Sequence, residues 1–137
     1  MNFDLDQLDI SLNSDLQMPI VLEDPDTNEQ IDLHNYDLIF TFRAGKSNVG
    51  TAVLILCTDH SKVATIDSTV PYELIQINPD GTGMISLLYS KAKTLQEMEA
   101  TYDVVLIDKN TSIRERANGP TSYGYAQFDL GDTRWVI

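Results

Sequence analysis

The sequence predicts an all-β fold, and within that class a two-sheet β-sandwich of roughly nine short strands. Strand-like apolar segments recur from about residue 17 onward, and turn residues separate them every 8–12 residues or so. Alternate residues in 38–42 and in 102–106 are apolar, which gives each segment one apolar face. Residues 51–57 are apolar on both faces, as in a central strand of a sandwich.

Each element can be placed from its local pattern. An Asp-rich and Asn-containing turn follows the first strand, so residues 30–33 can return as a short strand. The pattern of residues 78–83 predicts a hairpin loop, with Gly at positions that need positive φ. Thr94 and Glu97 fit a capping box, which predicts one short helical turn, extending to Ala100 at most. The other predicted strands span residues 18–22, 36–43, 51–57, 62–66, 72–76, 84–88, 101–108, 123–130 and 133–137.

The chain divides into an N-terminal acidic arm or edge strand at residues 1–16 and a β-sandwich domain at residues 17–137. The arm interleaves acids with the apolar side chains of Phe3, Leu5, Leu8, Ile10 and Leu12. A tail that served only solubility would not need this apolar content. We therefore predict that these five side chains pack on another subunit, with the acids facing its basic groups. The alternative is that the arm folds back as the first strand of its own domain.

The strand at residues 101–108 carries part of a tyrosine corner. In immunoglobulin-type sandwiches a Tyr near the start of a strand ties its hydroxyl to upstream backbone. Tyr102 fits, with the small Ala100 two positions before it, whereas Val104 stands where an antibody domain has Cys. Ala100 and Tyr102 thus predict an immunoglobulin-like antiparallel sandwich, and an ordinary buried tyrosine is the alternative.

The charge is unevenly distributed along the chain. The formal net charge is -12, and residues 1–42 hold ten acids and no Lys or Arg. Binding to nucleic acid or to an anionic membrane needs a basic patch, so neither partner is expected. The acidic segment suits a basic protein partner, and the alternative is that surface acids simply maintain solubility.

Length and cysteine usage limit the class of protein further. A chain of 137 residues suits one domain, and its apolar runs are too short to cross a membrane. The first residues lack the basic start and apolar stretch of a secretory signal. Cys57 is the only cysteine, so no internal disulfide is possible and a zinc site would lack ligands. We expect the chain to be made in a reducing cytoplasm.

One short motif resembles the end of a phosphate-binding P-loop. Gly45-Lys46-Ser47 has the right residues, but the full motif places a Gly where Phe40 stands. A helix should also follow, whereas residues 51–57 have strand character. We interpret residues 45–47 as a polar hairpin loop and expect no nucleotide cofactor.

A second motif has the ligand spacing of a calcium loop. Asp24, Asp26 and Asn28 are spaced correctly, but Glu29 and Asn35 occupy the positions that need Gly and Glu. We interpret this segment as a solvated turn and expect no bound metal.

A third motif places a thiol, an acid and an imidazole close together, at Cys57, Asp59 and His60. Adjacent side chains on a strand point to opposite faces, so sequence proximity does not make these groups converge. With no catalytic constellation recognised, we expect a protein that is not an enzyme.

A series of short motifs follows a fixed order over about residues 17–127. The motifs are Asp24-Pro25-Asp26-Thr27, Ile31-Asp32-Leu33, Tyr36, Phe40-Thr41-Phe42-Arg43, Gly83-Met84-Ile85-Ser86-Leu87, residues 94–98, Tyr102-Asp103-Val104 and Arg114-Glu115-Arg116-Ala117-Asn118-Gly119. Their order resembles that of small bacteriophage virion β-sandwich proteins, in particular the N-terminal module of upper-baseplate or tail adaptor proteins.

This resemblance implies a structural component of a bacteriophage particle in the tail, baseplate or fibre attachment. Such a component is made in the host cytoplasm and forms oligomers within the virion, through contacts with other virion proteins. Two alternatives stay open. One is a head decoration protein, and the other is a carbohydrate- or receptor-binding module, for which Tyr89, Tyr123, Tyr125 and Trp135 are the candidate aromatics.

Overall fold

The computed structural model describes residues 8–11, 16–24, 26–47, 49–63, 69–87, 98–116 and 123–129, and this part of the chain is all-β. Two short 3₁₀ turns, η1 (Leu33–Asn35) and η2 (His60–Lys62), are its helical elements, and it contains no α-helix. The strands are β1 (Leu8–Ser11), β2 (Leu16–Ile20), β3 (Tyr36–Ala44), β4 (Ala52–Cys57), β5 (Tyr72–Ile77), β6 (Gly83–Leu87), β7 (Met98–Asp108), β8 (Arg114–Arg116) and β9 (Gly124–Asp129).

The described strands form one hydrogen-bonded path in the order β1-β9-β7-β3-β4-β5-β6-β2. β7 is long enough to pair with two strands along the same edge, β9 at its first half and β8 at its second. Strands from both ends of the path contribute to one apolar cluster, because Ile10 of β1 and Ile20 of β2 both belong to it. The sheet is therefore a curled, half-barrel structure with a concave and a convex face.

The concave face holds the main core. β3 alternates as its sequence predicts, so that Leu38, Phe40 and Phe42 point into this core, and β7 adds Tyr102 on the neighbouring strand. Phe42 has no exposed surface. Burying a side chain of this size contributes about 1.5–3 kcal/mol. Among the described residues, the concave face holds more buried apolar side chains than the convex face, so it contributes more of the apolar stabilisation.

Three aromatic rings stack across the centre of the concave face. The Tyr102 ring lies 6.2 Å from Phe40 and 5.5 Å from Phe42, with nearly parallel planes in the first pair. Gly124 is directly opposite Tyr102 on β9. A Cβ at Gly124 would lie 2.6 Å from the Tyr102 ring, so only glycine leaves room for the ring over the β9 backbone.

The convex face carries a second, smaller apolar cluster. Ile39, Ile55, Cys57 and Ile107 form it. β4 and β5 pair in parallel, so the connection between them is a crossover. Its described residues include Val63 and Val70, which pack against the cluster on the convex face.

The all-β prediction is confirmed, and its finer form needs correction. The expected antiparallel pairing fails at β1–β9 and β4–β5, which are parallel. The described strands follow one continuous path and do not separate clearly into two sheets. The parallel pairs could not be expected from local patterns, because alternation reports which face a residue occupies and not the direction of its neighbour.

Several element boundaries also differ from the expectation. β7 begins at Met98, so residues 98–100 are strand and not the end of a helical turn. The predicted strand at 62–66 overlaps η2 where the chain is described, and β8 was not expected. Residues 94–97 and 133–137 lie outside the described residues.

Candidate functional site

The convex face contains an open groove of about 550 Å³ between the crossover and the strands. Its floor is apolar and comes from Ile39, Ile55 and Val105 on three adjacent strands. Val63 and Val70 of the crossover form one wall. The remaining lining residues are polar, small or charged, namely Thr41, Arg43, Thr51, Ala52, Asp103, Arg114 and Arg116. We call this depression the arginine groove.

Three of the chain's four arginines line the arginine groove. Strand pairing brings them together. Arg43 is the penultimate residue of β3, and Arg114 and Arg116 alternate on β8 and so share a face. Asp103 is the one acid in the lining. In a chain with a net charge of -12, the groove is a local surface of opposite sign.

Each guanidinium is oriented by a contact to the protein. Arg43 Nη1 donates to the carbonyl oxygen of Gly50 at 3.3 Å, and Arg114 Nη2 donates to that of Lys62 at 2.6 Å. Arg116 Nη2 lies 3.3 Å from Asp103 Oδ2 in an ion pair. Because a guanidinium carries five N–H donors, Arg43 and Arg114 can donate further hydrogen bonds to a bound carboxylate or phosphate while keeping these contacts.

The Arg116–Asp103 pair is more enclosed than a usual surface ion pair. The Asp103 side chain is 12% exposed and the Arg116 side chain 25% exposed. Thr41 is directly opposite Asp103 on β3. Such a pair holds the positive charge of Arg116 at a defined place on the groove margin, and removing one partner would leave the other charge poorly solvated.

Sequence reasoning did not identify this groove. Arg43, Arg114 and Arg116 were considered only as parts of the motifs that carry the resemblance. The alternation Arg114-x-Arg116 was the available signal, since it puts two positive charges on one face of a strand. The pairing of β8 with β7 is what brings them beside Asp103.

A second depression, of about 370 Å³, lies beside β9. Lys46, Glu99, Tyr125 and Gln127 line it, and Tyr125 is 54% exposed. Tyr123 meets Tyr125 edge to face, with ring centroids 5.8 Å apart. Tyr89 and Trp135, the other candidate aromatics, lie outside the described residues.

The three side chains of the thiol motif each contact other residues. Cys57 is buried in the convex cluster, and burial raises the pKa of its thiol to about 11. His60 stacks on Tyr72, with ring centroids 3.7 Å apart. Asp59 accepts hydrogen bonds from the backbone and hydroxyl of Ser61, and these bonds lower the pKa of Asp59.

The two ligand-like motifs lie in turns. Residues 45–47 belong to the loop that joins antiparallel β3 to β4. Asp24 Oδ1 accepts from the Asp26 backbone N–H at 2.9 Å, and the Asn28 N–H donates to the Asp24 carbonyl at 2.7 Å. Within the described ranges, no group of three His, Cys, Asp or Glu side chains is arranged to hold a metal ion.

The arm residues are placed as follows. Residues 8–11 form β1, which pairs in parallel with β9 of the same chain, so this part of the arm is an edge strand of its own sheet. Ile10 is buried in the concave core, and Leu8 packs against that core. Ile10 therefore packs in the core of its own domain. Phe3, Leu5 and Leu12 lie outside the described residues.

The proposed corner residues are both buried. Ala100 and Tyr102 lie within β7, where Tyr102 is the fifth residue of the strand rather than its opening residue. The Tyr102 ring stacks against Phe40 and Phe42 in the concave core.

In the described part of the chain, no helix has the length and apolar character required to cross a membrane. No protein-family model, curated protein or solved structure matches this chain.

Proposed function

We propose that this chain is a non-enzymatic structural subunit of a bacteriophage particle that acts through protein–protein contacts. The arginine groove is the observation that carries the proposal. It combines an apolar floor with a charged margin, the arrangement found in protein interfaces, where Arg is enriched. The order of motifs over about residues 17–127 supports the particle role, in tail, baseplate or fibre attachment. We also propose that the fold is a divergent relative of the immunoglobulin-like sandwich.

The groove suits a macromolecular partner better than a small substrate. It is an open depression whose apolar floor lies between oriented guanidinium groups, and carboxylates of a partner could pair with Arg43 and Arg114. The many acids of the N-terminal segment suit a basic partner, as the charge distribution predicts. Two surfaces of opposite sign on one subunit favour specific and oriented contacts.

Particle incorporation tests this proposal. Quantitative mass spectrometry of purified particles should find the chain at a constant copy number. A chain carrying Arg43→Gln and Arg114→Gln should be incorporated several-fold less than wild type. Lys46→Gln with Lys109→Gln removes the same charge at exposed positions outside the arginine groove and should leave incorporation unchanged. Absence of the wild-type chain from particles would overturn the proposal, and density for the chain on the capsid would favour the head decoration alternative.

The second depression supports carbohydrate or receptor binding as a second candidate function. An exposed Tyr125 beside Lys46, Glu99 and Gln127 combines a stacking face with hydrogen-bonding groups. If sugar binding is the function, saturation-transfer NMR against a set of bacterial glycans should detect a ligand. Tyr125→Ala should abolish that signal, while Arg43→Gln with Arg114→Gln should preserve it.

A further inference from the structure

We propose that the arginine groove receives the acidic turn of a second copy of this chain, so that copies associate head to tail. The acidic turn comprises residues 23, 24 and 26–30. This inference deepens the proposed function by naming the partner as another copy of the same subunit, and it rests on that function only for its biological setting.

The acidic turn has the chemistry that the groove requires. Residues 23–30 hold four acids and no base, namely Glu23, Asp24, Asp26 and Glu29. Glu23, Asp26 and Glu29 are exposed. Carboxylates pair with guanidinium groups in a bidentate geometry that fixes orientation as well as charge.

The acidic turn is also held in shape before any contact forms. Its ends are bridged at Glu23 and Gln30, and the Asp24 N–H donates to the Glu29 carbonyl at 2.8 Å. Asn28 adopts the left-handed conformation, with φ of 59°, which lets the chain reverse. A preorganised turn loses little conformational freedom on docking, so more of the contact energy becomes affinity.

The turn belongs to a different part of the molecule from the groove. Gln30 Nε2 donates to the Asp80 carbonyl at 3.1 Å, and the Leu33 N–H donates to the Gly81 carbonyl at 3.0 Å. These bonds fasten the turn to the loop between β5 and β6, whereas β3, β4, β7, β8 and the crossover form the groove. Each copy therefore presents both halves of the contact on separate surfaces. Such an interface is heterologous, and it builds a ring or a filament.

Net charge opposes this association and gives it a characteristic salt dependence. Two copies repel over long range because each carries a charge of -12, while the turn and the groove attract at short range. Salt at about 0.1 M screens charges separated by more than about 10 Å and leaves close pairs less affected. Association should therefore be strongest at intermediate ionic strength and weaken at both extremes.

The experiment uses the full chain and two neutralised variants. The groove variant carries Arg43→Gln and Arg114→Gln, and the turn variant carries Asp26→Asn and Glu29→Gln. Sedimentation velocity over a concentration series should show wild-type oligomers and monomers of each variant alone. An equimolar mixture should form a 1:1 dimer and nothing larger, because only one intact turn and one intact groove remain to meet.

A matched control separates local from global charge effects. Lys109→Gln removes a positive charge at an exposed position outside both depressions and should oligomerise as wild type does. Circular dichroism should show the same strand content for all variants, so that loss of association is not loss of fold.

Three results would overturn the inference. The first is a wild-type chain that stays monomeric up to about 1 mM at every salt concentration. The second is a mixture of the two variants that remains monomeric. The third is binding of inorganic phosphate that the groove variant loses, without self-association, which would make the groove a small-anion site. A monomeric chain that is still incorporated into particles would refute this inference alone, whereas self-association without incorporation would refute only the proposed function.

Discussion

Replacing Gly124 with Ala tests how closely β9 packs beneath the central aromatic stack. The new Cβ would lie 2.6 Å from Tyr102 Cε1, 2.7 Å from Cζ and 2.9 Å from the hydroxyl oxygen. The Tyr102 ring has little room to move away, since it is 3% exposed and lies against Phe40 and Phe42. The ring or the β9 backbone must shift, and either movement disturbs the core.

The expected cost combines two opposing contributions. Overpacking a well-packed core destabilises by about 1–3 kcal/mol. Alanine also reduces the conformational freedom of the unfolded chain, which stabilises by about 0.4–1 kcal/mol where the backbone permits it. Gly124 permits it because its φ is not positive. We expect a net loss of about 1–2 kcal/mol in the free energy of unfolding, or roughly 3–7 °C in Tm for a domain of this size.

Thermal and urea unfolding of four proteins would measure this cost: wild type, Gly124→Ala, Tyr102→Leu and the double variant. With Tyr102→Leu the ring is gone, so Gly124→Ala should become neutral or stabilising. The coupling energy between the two sites should then be at least about 1 kcal/mol. A single Gly124→Ala variant as stable as wild type, or additive effects in the double variant, would show that the close approach is wrong.

Three further predictions follow from buried and capping groups. Cys57, whose pKa is raised to about 11, should react with iodoacetamide at pH 8 far more slowly than in urea-unfolded chain, and equal rates would contradict its burial. The hydrogen bonds from Ser61 lower the pKa of the Asp59 carboxyl. The ionised carboxylate therefore stabilises the fold above the pKa that Asp59 has in the unfolded chain, which is about 4. This stabilisation is lost as the pH falls through the lower pKa that Asp59 has in the folded protein. Asp59→Asn should therefore show a smaller loss of Tm between pH 6 and pH 3 than wild type does, and an unchanged pH profile would exclude this contribution. Phe42→Ala should destabilise by about 3–5 kcal/mol in urea unfolding, because Phe42 has no exposed surface, and a loss below 1 kcal/mol would mean that the concave core is misplaced.

The contacts of the candidate site depend on long-range pairing that no local pattern encodes. Arg43 lies far along the chain from Arg114 and Arg116, and they line one groove because β3 and β8 both pair with β7. Backbone N–H and C=O groups are the same in every strand, so pairing partners are selected by how the whole sheet packs. The parallel pairs β1–β9 and β4–β5 were unpredictable for this reason, and with them the crossover that forms one wall of the groove.

The sequence by itself determined the all-β class, the apolar faces of residues 38–42 and 102–106, and the separation of the acidic segment from the basic residues. Period-two alternation and charge are properties of neighbouring residues, so they can be read along the chain. Only the tertiary structure decided that Leu8 and Ile10 belong to their own sheet and that Tyr102 lies over Gly124. These outcomes depend on which surfaces meet, and packing of the complete sheet selects them after the local preferences are satisfied.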